Sequence, residues 1–83
     1  MYQLLIEKQV TQQLSKIAEP DYSRLKQAIL SLADNPRPAG YKKLKGKGGY
    51  RIRQGDFRII YEISDKVLTV YVLELGHRKD VYD

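Results

Sequence analysis

Two alternating runs of residues on either side of Gly55-Asp56 constrain the fold of this chain more than any other feature. Residues 50–54 (YRIRQ) and 57–64 (FRIIYEIS) are rich in isoleucine, tyrosine and phenylalanine, which favour β-strands. Gly-Asp between such runs is typical of a two-residue hairpin, because glycine supplies the positive φ that the turn needs. The pattern predicts an antiparallel hairpin in which Gln54 pairs with Phe57.

The register of this hairpin sorts its side chains onto two faces. Because side chains alternate along a strand, Arg53 should lie directly opposite Arg58, with Arg51, Ile60 and Glu62 on the same face. The other face is apolar and must be covered by helices. It consists of Tyr50, Ile52, Phe57, Ile59, Tyr61 and Ile63.

The remaining segments predict one strand before the hairpin, two helices, and one strand after it. Residues 1–6 are apolar, and residues 7–18 carry apolar side chains at helical spacing up to the break at Pro20. A second stripe opens at Pro20 or Asp21 and stops at the NPRP sequence of residues 35–38. Residues 39–49 read as a loop, and residues 67–75 as a last strand after a two-residue turn at Asp65-Lys66.

We therefore predict one α+β domain over residues 1–83, with the order β-α-α-β-β-β. An N-terminal strand and an αα-hairpin precede a three-stranded antiparallel meander, and the helices pack on one sheet face. In the last strand, Leu68, Val70 and Val72 should join the core. Thr69, Tyr71 and Leu73 should join the arginines.

The composition excludes several classes of protein. The chain has 83 residues, no cysteine and one histidine, so it has no disulfide framework and no thiolate metal site. No apolar run approaches the roughly 20 residues that span a bilayer, and the N-terminus lacks the pattern of a signal peptide. We expect a cytoplasmic protein with no membrane partner.

Positive charge is concentrated between residues 37 and 58. The chain has a net charge of +5, whereas this segment alone carries +7 in 22 residues. Such a field suggests a polyanionic partner, and the alternative is a solvated loop that keeps the protein soluble. Four lysines contribute to the field, namely Lys42, Lys43, Lys45 and Lys47.

The three arginines of the hairpin can be interpreted in two ways. Like charges directly opposite each other destabilise a sheet by up to about 1 kcal/mol, although a salt bridge to Glu62 and a solvated polar face would be ordinary. Local carboxylates are too few to neutralise Arg51, Arg53 and Arg58. The planar guanidinium also suits bidentate phosphate contacts better than lysine does, which favours a phosphate-binding surface.

The C-terminal residues add polar groups just after the last strand. Gly76 allows the backbone to turn, and His77 could act as acid, base or phosphate donor, or be a simple surface residue. Tyr82 could stack on a base or latch the C-terminus onto the core. Together with Arg78, these side chains can reach the same edge of the sheet as the arginines.

The residue types leave few catalytic chemistries. The lone histidine and the absence of carboxylates at ligand spacing predict no metal site, and the glycines of residues 46–49 lack the spacing of a phosphate-binding loop. Metal-free phosphodiester cleavage is possible, with arginines stabilising the extra charge on phosphorus. The nucleophile would come from the substrate, such as an RNA 2′-OH, and no cofactor is expected.

Five segments in order resemble the RelE family of toxin–antitoxin ribonucleases, within the RelE/ParE superfamily. They are residues 35–36 (NP), 43–46 (KLKG), 50–53 (YRIR), 55–61 (GDFRIIY) and 76–82 (GHRKDVY). The resemblance covers essentially the whole chain. It implies a toxin that enters the ribosomal A site and cleaves mRNA there without metal, through attack by the 2′-OH. It also implies a RelB-like antitoxin from an adjacent gene, through which the pair binds operator DNA.

The resemblance also implies roles for individual residues. Arg51 and Arg53 fall where the family places basic residues that bind or deprotonate the reacting site, and Arg58 falls on the arginine that stabilises the phosphate. Arg78 falls on the proposed general acid, and Tyr82 on the tyrosine that orients or stacks the base.

One departure from the family pattern concerns the general base. The pattern has lysines where this chain has Arg51 and Arg53, and arginine stays protonated at any ordinary pH. The base could then be His77, Glu62 or water. The lysines of residues 42–47 are expected to contact ribosomal RNA. The alternatives are a ParE-like toxin that poisons DNA gyrase without a nuclease site, and a non-catalytic RNA- or ribosome-binding module.

Overall fold

Five strands form one sheet in the computed structural model, which describes residues 1–46 and 48–77. Within these residues the strands are β1 (Gln3–Ile6), β2 (Lys42–Lys43), β3 (Tyr50–Gln54), β4 (Phe57–Ser64) and β5 (Thr69–His77). Their order in the sheet is β1-β5-β4-β3-β2, with β1 and β5 parallel and the other neighbours antiparallel. The predicted α+β architecture is confirmed, with one additional strand.

That additional strand, β2, lies in the segment predicted to be a loop. Lys42 pairs with Arg51 and Lys43 with Tyr50, and the Leu44 amide donates to the Gly49 carbonyl over 2.9 Å. Lysine and glycine have low strand propensity, so the local sequence does not predict β2. It forms because β3 offers unpaired backbone groups along its outer edge.

Two helices cover one face of the sheet: α1 (Lys8–Leu14) and α2 (Asp21–Ser31). The predicted start of α2 is confirmed, and Glu19 accepts hydrogen bonds from the amide and hydroxyl of Ser23 in its first turn. The α1 helix is shorter than the predicted span of 7–18. Its chain continues past Leu14 in tight turns, in which the Ile17 amide donates to the Leu14 carbonyl.

The core lies between these helices and the predicted apolar face of the hairpin. Each core residue, whether from a helix or from a strand, is no more than 7% exposed. They are Val10, Leu25, Ile29, Leu32, Ile52, Ile59, Tyr61, Val70, Val72 and Leu75. Truncating such a side chain to alanine typically costs about 2–5 kcal/mol, so this layer holds the sheet in place under the helices.

The hairpin register agrees with the prediction at every pair. Gln54 lies opposite Phe57, Arg53 opposite Arg58, and Arg51 opposite Ile60. Gly55 has the expected positive φ of 61°. The arginines therefore occupy the sheet face that the helices leave uncovered.

The predicted turn between β4 and β5 is wrong in length. Ser64 pairs with Thr69, so the turn contains four residues and not two. Leu68 has a φ of 48° and is 52% exposed, so it is not part of the core. Its carbonyl accepts a hydrogen bond from the Gln3 amide, and this long-range contact positions the turn. The shift of two residues preserves alternation, which leaves Val70 and Val72 buried as predicted.

A β-bulge in β5 changes which side chains face the arginines. Tyr61 pairs with Val72 and Ile60 pairs with Glu74, so Leu73 is the extra residue and does not take the predicted place beside the arginines. Beyond the bulge the alternation is inverted. Glu74 therefore shares a face with Ile60, and Leu75 is buried.

Candidate functional site

The sheet face opposite the two described helices carries Arg51, Arg53 and Arg58, and we call it the arginine face. Arg53 is exposed, Arg58 is half-buried, and Arg51 is only 5% exposed. The Nε atoms of Arg51 and Arg58 are shielded from solvent. A guanidinium is seldom buried without compensating contacts, so Arg51 differs from the solvated side chain of an ordinary open sheet face.

The edge strand β2 adds a fourth cation to the arginine face. Because Lys42 is the cross-strand partner of Arg51, its side chain lies on the same face, about 5 Å away at Cβ. Lys43 pairs with Tyr50 and so lies on the opposite side of the sheet. Lys45 is exposed in the following turn, and Lys47 lies outside the described residues.

Two carboxylates border these cations on the same face. Glu62 lies two residues beyond Ile60 on β4, and Glu74 lies opposite Ile60 on β5. Both side chains are exposed. The face is thus cationic across β2, β3 and the start of β4, and acidic toward β5. The sequence pattern identified Glu62 but missed Glu74, because only the bulge brings it to this side.

His77 lies at the same end of the sheet as the hairpin arginines but faces the other way. It pairs with Phe57, and the two rings meet edge-on with centroids 5.3 Å apart. Its neighbour Gly76, and not His77, lies opposite Arg58. The described residues thus do not place His77 beside the arginines. Its catalytic role stays a prediction, and Arg78 and Tyr82 lie outside the described residues.

A network of side chains ties the segment before β2 to the rest of the sheet. Arg37 donates to both carboxylate oxygens of Asp65, at 3.2 and 2.9 Å, and Tyr2 donates to the same carboxylate over 2.6 Å. The hydrogen bonds from Arg37, followed by that from Tyr2, lower the pKa of Asp65. Arg37 also lies over the Tyr50 ring, 5.7 Å from its centroid. The residue spacing alone did not reveal this network.

A second anchor of that segment is buried. The Tyr61 hydroxyl donates to the Pro36 carbonyl over 2.6 Å, and the Tyr61 ring stacks on Tyr50 with centroids 5.9 Å apart. Burial raises the pKa of Tyr61 to about 12. Tyr41 packs on the outer side of Tyr50 at 6.0 Å. These rings fix where the chain enters β2, and hence where Lys42 meets Arg51.

A groove of about 560 Å³ lies beyond the carboxylates on the uncovered side of the sheet. Leu5, Glu62, Val67 and Tyr71 contribute to its walls. The Tyr71 hydroxyl donates to the Glu7 carboxylate, which raises the pKa of Tyr71. The exposed apolar surface of Leu5 and Val67 gives this part of the face a different character from the cationic part.

The described residues contain neither a candidate metal site nor a candidate membrane-spanning helix. Nowhere in residues 1–46 and 48–77 do three or more histidine, aspartate or glutamate side chains cluster so that they could hold a metal ion. Neither described helix has the length and apolar character needed to cross a bilayer.

The sequence matches one family along almost its whole length. Residues 4–82 match the model of the ParE toxin of type II toxin–antitoxin systems, parDE. This chain therefore belongs to the ParE toxin family, in the RelE/ParE superfamily, and is a toxin of the type II toxin–antitoxin class. The recognition of this superfamily from the sequence is confirmed.

Individual relatives carry the names RelG and RelE. The chain is 40% identical over 35 residues to the toxin RelG of Mycobacterium tuberculosis, and the match spans 42% of this chain and 40% of RelG. It is similar to the archaeal RelE–RelB complex from Pyrococcus horikoshii, with 30% identity, a TM-score of 0.84, and coverage of 96% of this chain and 98% of that one. The RelB–RelE complex from Methanococcus jannaschii gives 27% identity, a TM-score of 0.74 and 95% coverage of both chains.

Proposed function

We propose that this toxin is a ribosome-dependent endoribonuclease that cleaves mRNA in the A site without a metal ion. The observation that carries the proposal is the cross-strand pair of Arg53 and Arg58, with Arg51 and Lys42 alongside on the same uncovered face. Like charges on neighbouring strands repel each other. An RNA phosphate between them would turn this repulsion into charge-assisted hydrogen bonds.

The proposed reaction is a transesterification within the RNA. The 2′ oxygen forms a bond to the adjacent phosphorus, the bond from phosphorus to the 5′ oxygen breaks, and the products end in a 2′,3′-cyclic phosphate and a 5′-hydroxyl. A base accepts the proton of the 2′-OH, and an acid supplies one to the leaving 5′ oxygen. The arginine fork matches the oxygens of the pentacoordinate phosphorus, on which negative charge builds up.

The proposed roles of the three arginines follow from how deeply each guanidinium is buried. Arg58 and Arg51 are the more shielded guanidiniums, so they suit fixed positions against the phosphate. Arg53 is exposed and can follow the incoming strand. Arg78 is assigned as the acid and Tyr82 as the base-stacking residue, both by resemblance to the family.

The ribosome is the proposed source of substrate and of additional binding energy. Lys43 and Lys45 are exposed at the edge of the sheet, where they can reach ribosomal RNA while Lys42 and the arginines contact mRNA. The proposed place of action is the cytoplasm. The net positive charge of the chain also attracts RNA electrostatically at long range and so speeds association.

The proposed protein partner is a RelB-like antitoxin. The Pyrococcus horikoshii and Methanococcus jannaschii relatives were each solved with RelB. Acidic segments of such an antitoxin would compensate the cations of the arginine face and block access of RNA. Operator DNA would be bound through the antitoxin, since both helices in the described part of the toxin pack against its own sheet.

A second candidate function follows from the family match itself. The matching family is named for ParE, and a ParE-like toxin would poison DNA gyrase by binding, without a nuclease site. In that case the arginine face would be a contact surface only. The two functions differ in what happens to RNA after induction.

Induction in cells followed by mapping of mRNA 5′ ends separates the two functions. The nuclease predicts new ends within codons of translated messages, and their loss in Arg58→Ala. Arg24→Ala is a matched control, because Arg24 is exposed on α2, away from the arginine face. Growth arrest with intact mRNA and altered plasmid supercoiling would instead establish the gyrase function.

A further inference from the structure

We propose that Glu74 is the general base of the reaction, accepting the proton of the attacking 2′-OH. This inference rests on the proposed ribonuclease function and supplies the group that the arginine face itself lacks. Arginine cannot act as a base near neutral pH, whereas a carboxylate can accept a proton.

The β-bulge is the reason that Glu74 reaches this face. Val72 is fully buried opposite Tyr61, and strict alternation would send the side chain of Glu74 into the same core. The extra residue Leu73 inverts the alternation, so Glu74 lies opposite Ile60 on the arginine face. Bulges of this kind commonly redirect a side chain next to an active site.

Contacts from the start of α1 hold the bulge in place. The Gln9 side-chain amide donates to the carbonyl of Leu73 over 2.9 Å, and the Glu7 amide donates to the carbonyl of Val72 over 2.9 Å. These two bonds satisfy the carbonyl of the extra residue Leu73 and that of Val72 just before it. Gln9 is thus a positioning residue for Glu74, through the bulge carbonyl.

Distance along the sheet favours Glu74 over Glu62. Gly76 lies opposite Arg58, so Glu74 is the diagonal neighbour of Arg58 on the same face, at about 7–8 Å between Cα atoms. Glu62 lies four residues from Arg58 along β4, or roughly 13 Å at 3.3 Å per residue. Glu62 is instead the diagonal neighbour of Arg51. A phosphate bound at the cross-strand pair of Arg53 and Arg58 therefore lies closer to the carboxylate of Glu74.

His77, another base candidate, lies on the sheet face opposite the arginines. Its ring contacts Phe57 on the helix-covered side of the sheet. Glu74 is exposed, so an RNA strand can approach its carboxylate without a rearrangement of the protein. In the proposed step the 2′-OH proton moves to a carboxylate oxygen of Glu74, which later releases it to water.

Single-turnover cleavage on ribosomes programmed with a defined A-site codon tests the assignment. Glu74→Ala should slow the chemical step by about 100-fold or more, the range for loss of a general base, with unchanged affinity for the ribosome. Added acetate should restore part of the Glu74→Ala rate, and Glu74→Asp should retain more activity than Glu74→Gln. A Glu74→Ala rate within threefold of wild type, or a larger loss in Glu62→Ala, overturns the inference.

The positioning role of Gln9 gives a second readout. Gln9→Ala should slow cleavage by several-fold, whereas Gln13→Ala, on an exposed position of the same helix, should not. Equal rates for Gln9→Ala and wild type would show that the bulge needs no support from α1, and would overturn that role. If the wild-type protein cleaves mRNA on no programmed ribosome, the proposed ribonuclease function itself is refuted. Arg58→Ala and the mapping of mRNA 5′ ends test that function independently of Glu74.

Discussion

Replacing Tyr61 with phenylalanine removes one hydroxyl from a ring that is completely buried. The hydroxyl donates to the Pro36 carbonyl over 2.6 Å, and Pro36 is buried as well. Leaving a buried carbonyl without its donor costs about 1–3 kcal/mol. We therefore expect Tyr61→Phe to lower the free energy of unfolding by about 2 kcal/mol at neutral pH, measured by urea denaturation.

The pH dependence of this difference checks its cause. Burial raises the pKa of Tyr61 in the folded protein to about 12, compared with an ordinary value of 10 in the unfolded chain. A raised folded-state pKa adds stability that is complete below the unfolded-state value and lost as the pH rises through the folded-state value.

At pH 11, about 1.4 kcal/mol of the wild-type advantage should be gone relative to pH 9. The phenylalanine variant lacks this ionisation, and the other tyrosines are common to both proteins, so they cancel in the comparison. An advantage that is the same at pH 9 and pH 11 would refute the assignment of a buried, neutral, hydrogen-bonded hydroxyl.

The remaining predictions concern the edges of the site. Lys42→Glu should slow cleavage on saturating ribosomes by about tenfold, the effect of losing one charge-assisted contact, whereas Lys43→Glu should only weaken ribosome association. Equal cleavage rates for the two variants would contradict the placement of Lys42 and Lys43 on opposite sides of the sheet. Gly49→Ala should lower the free energy of unfolding by about 1–2 kcal/mol, because Gly49 has a φ of 87° and an added Cβ would lie 3.2 Å from the Tyr61 carbonyl oxygen on β4. An unchanged urea midpoint would argue against this strain. Asp65→Asn should lower the melting temperature at neutral pH but not in acid. Arg37 lowers the pKa of Asp65, so the stabilisation by the ion pair is lost as the pH falls through that lowered pKa. A difference in melting temperature that does not change with pH would count against the ion pair.

The hairpin could be predicted from the sequence because its signals are local. Alternation with a period of two and the Gly55-Asp56 turn determine which residues pair, and all the predicted pairs from Arg53 opposite Arg58 to Arg51 opposite Ile60 are present. The apolar face and the helical stripes were predictable for the same reason. Each depends on a few neighbouring residues and a fixed geometric period.

The bulge and the edge strand could not be predicted because each depends on contacts outside its own segment. Gln9 and the Leu73 carbonyl that it supports are 64 residues apart, and nothing in the spacing of β5 reveals the extra residue. Lys42 and Lys43 become a strand only because β3 lies next to them. Contacts with other segments of the chain therefore decide two of the features that shape the site.

The candidate site was consequently predictable in part. Arg51, Arg53 and Arg58 follow from the hairpin alone, whereas the face on which His77 lies depends on the bulge. Alternation without a bulge would place His77 with the arginines, and the inverted alternation places it beside Phe57. Glu74 moves in the opposite sense, from an expected core position to the arginine face.

The arginine face is proposed to cleave mRNA on the ribosome. The most direct measurement uses purified ribosomes stalled on a synthetic mRNA, incubated with wild-type toxin or with Arg58→Ala, followed by analysis of the RNA termini. We predict cleavage within the A-site codon by wild type, fragments ending in a 2′,3′-cyclic phosphate and a 5′-hydroxyl, and a loss of at least about 100-fold with Arg58→Ala. Intact mRNA with wild type, or equal cleavage by both proteins, would contradict the account.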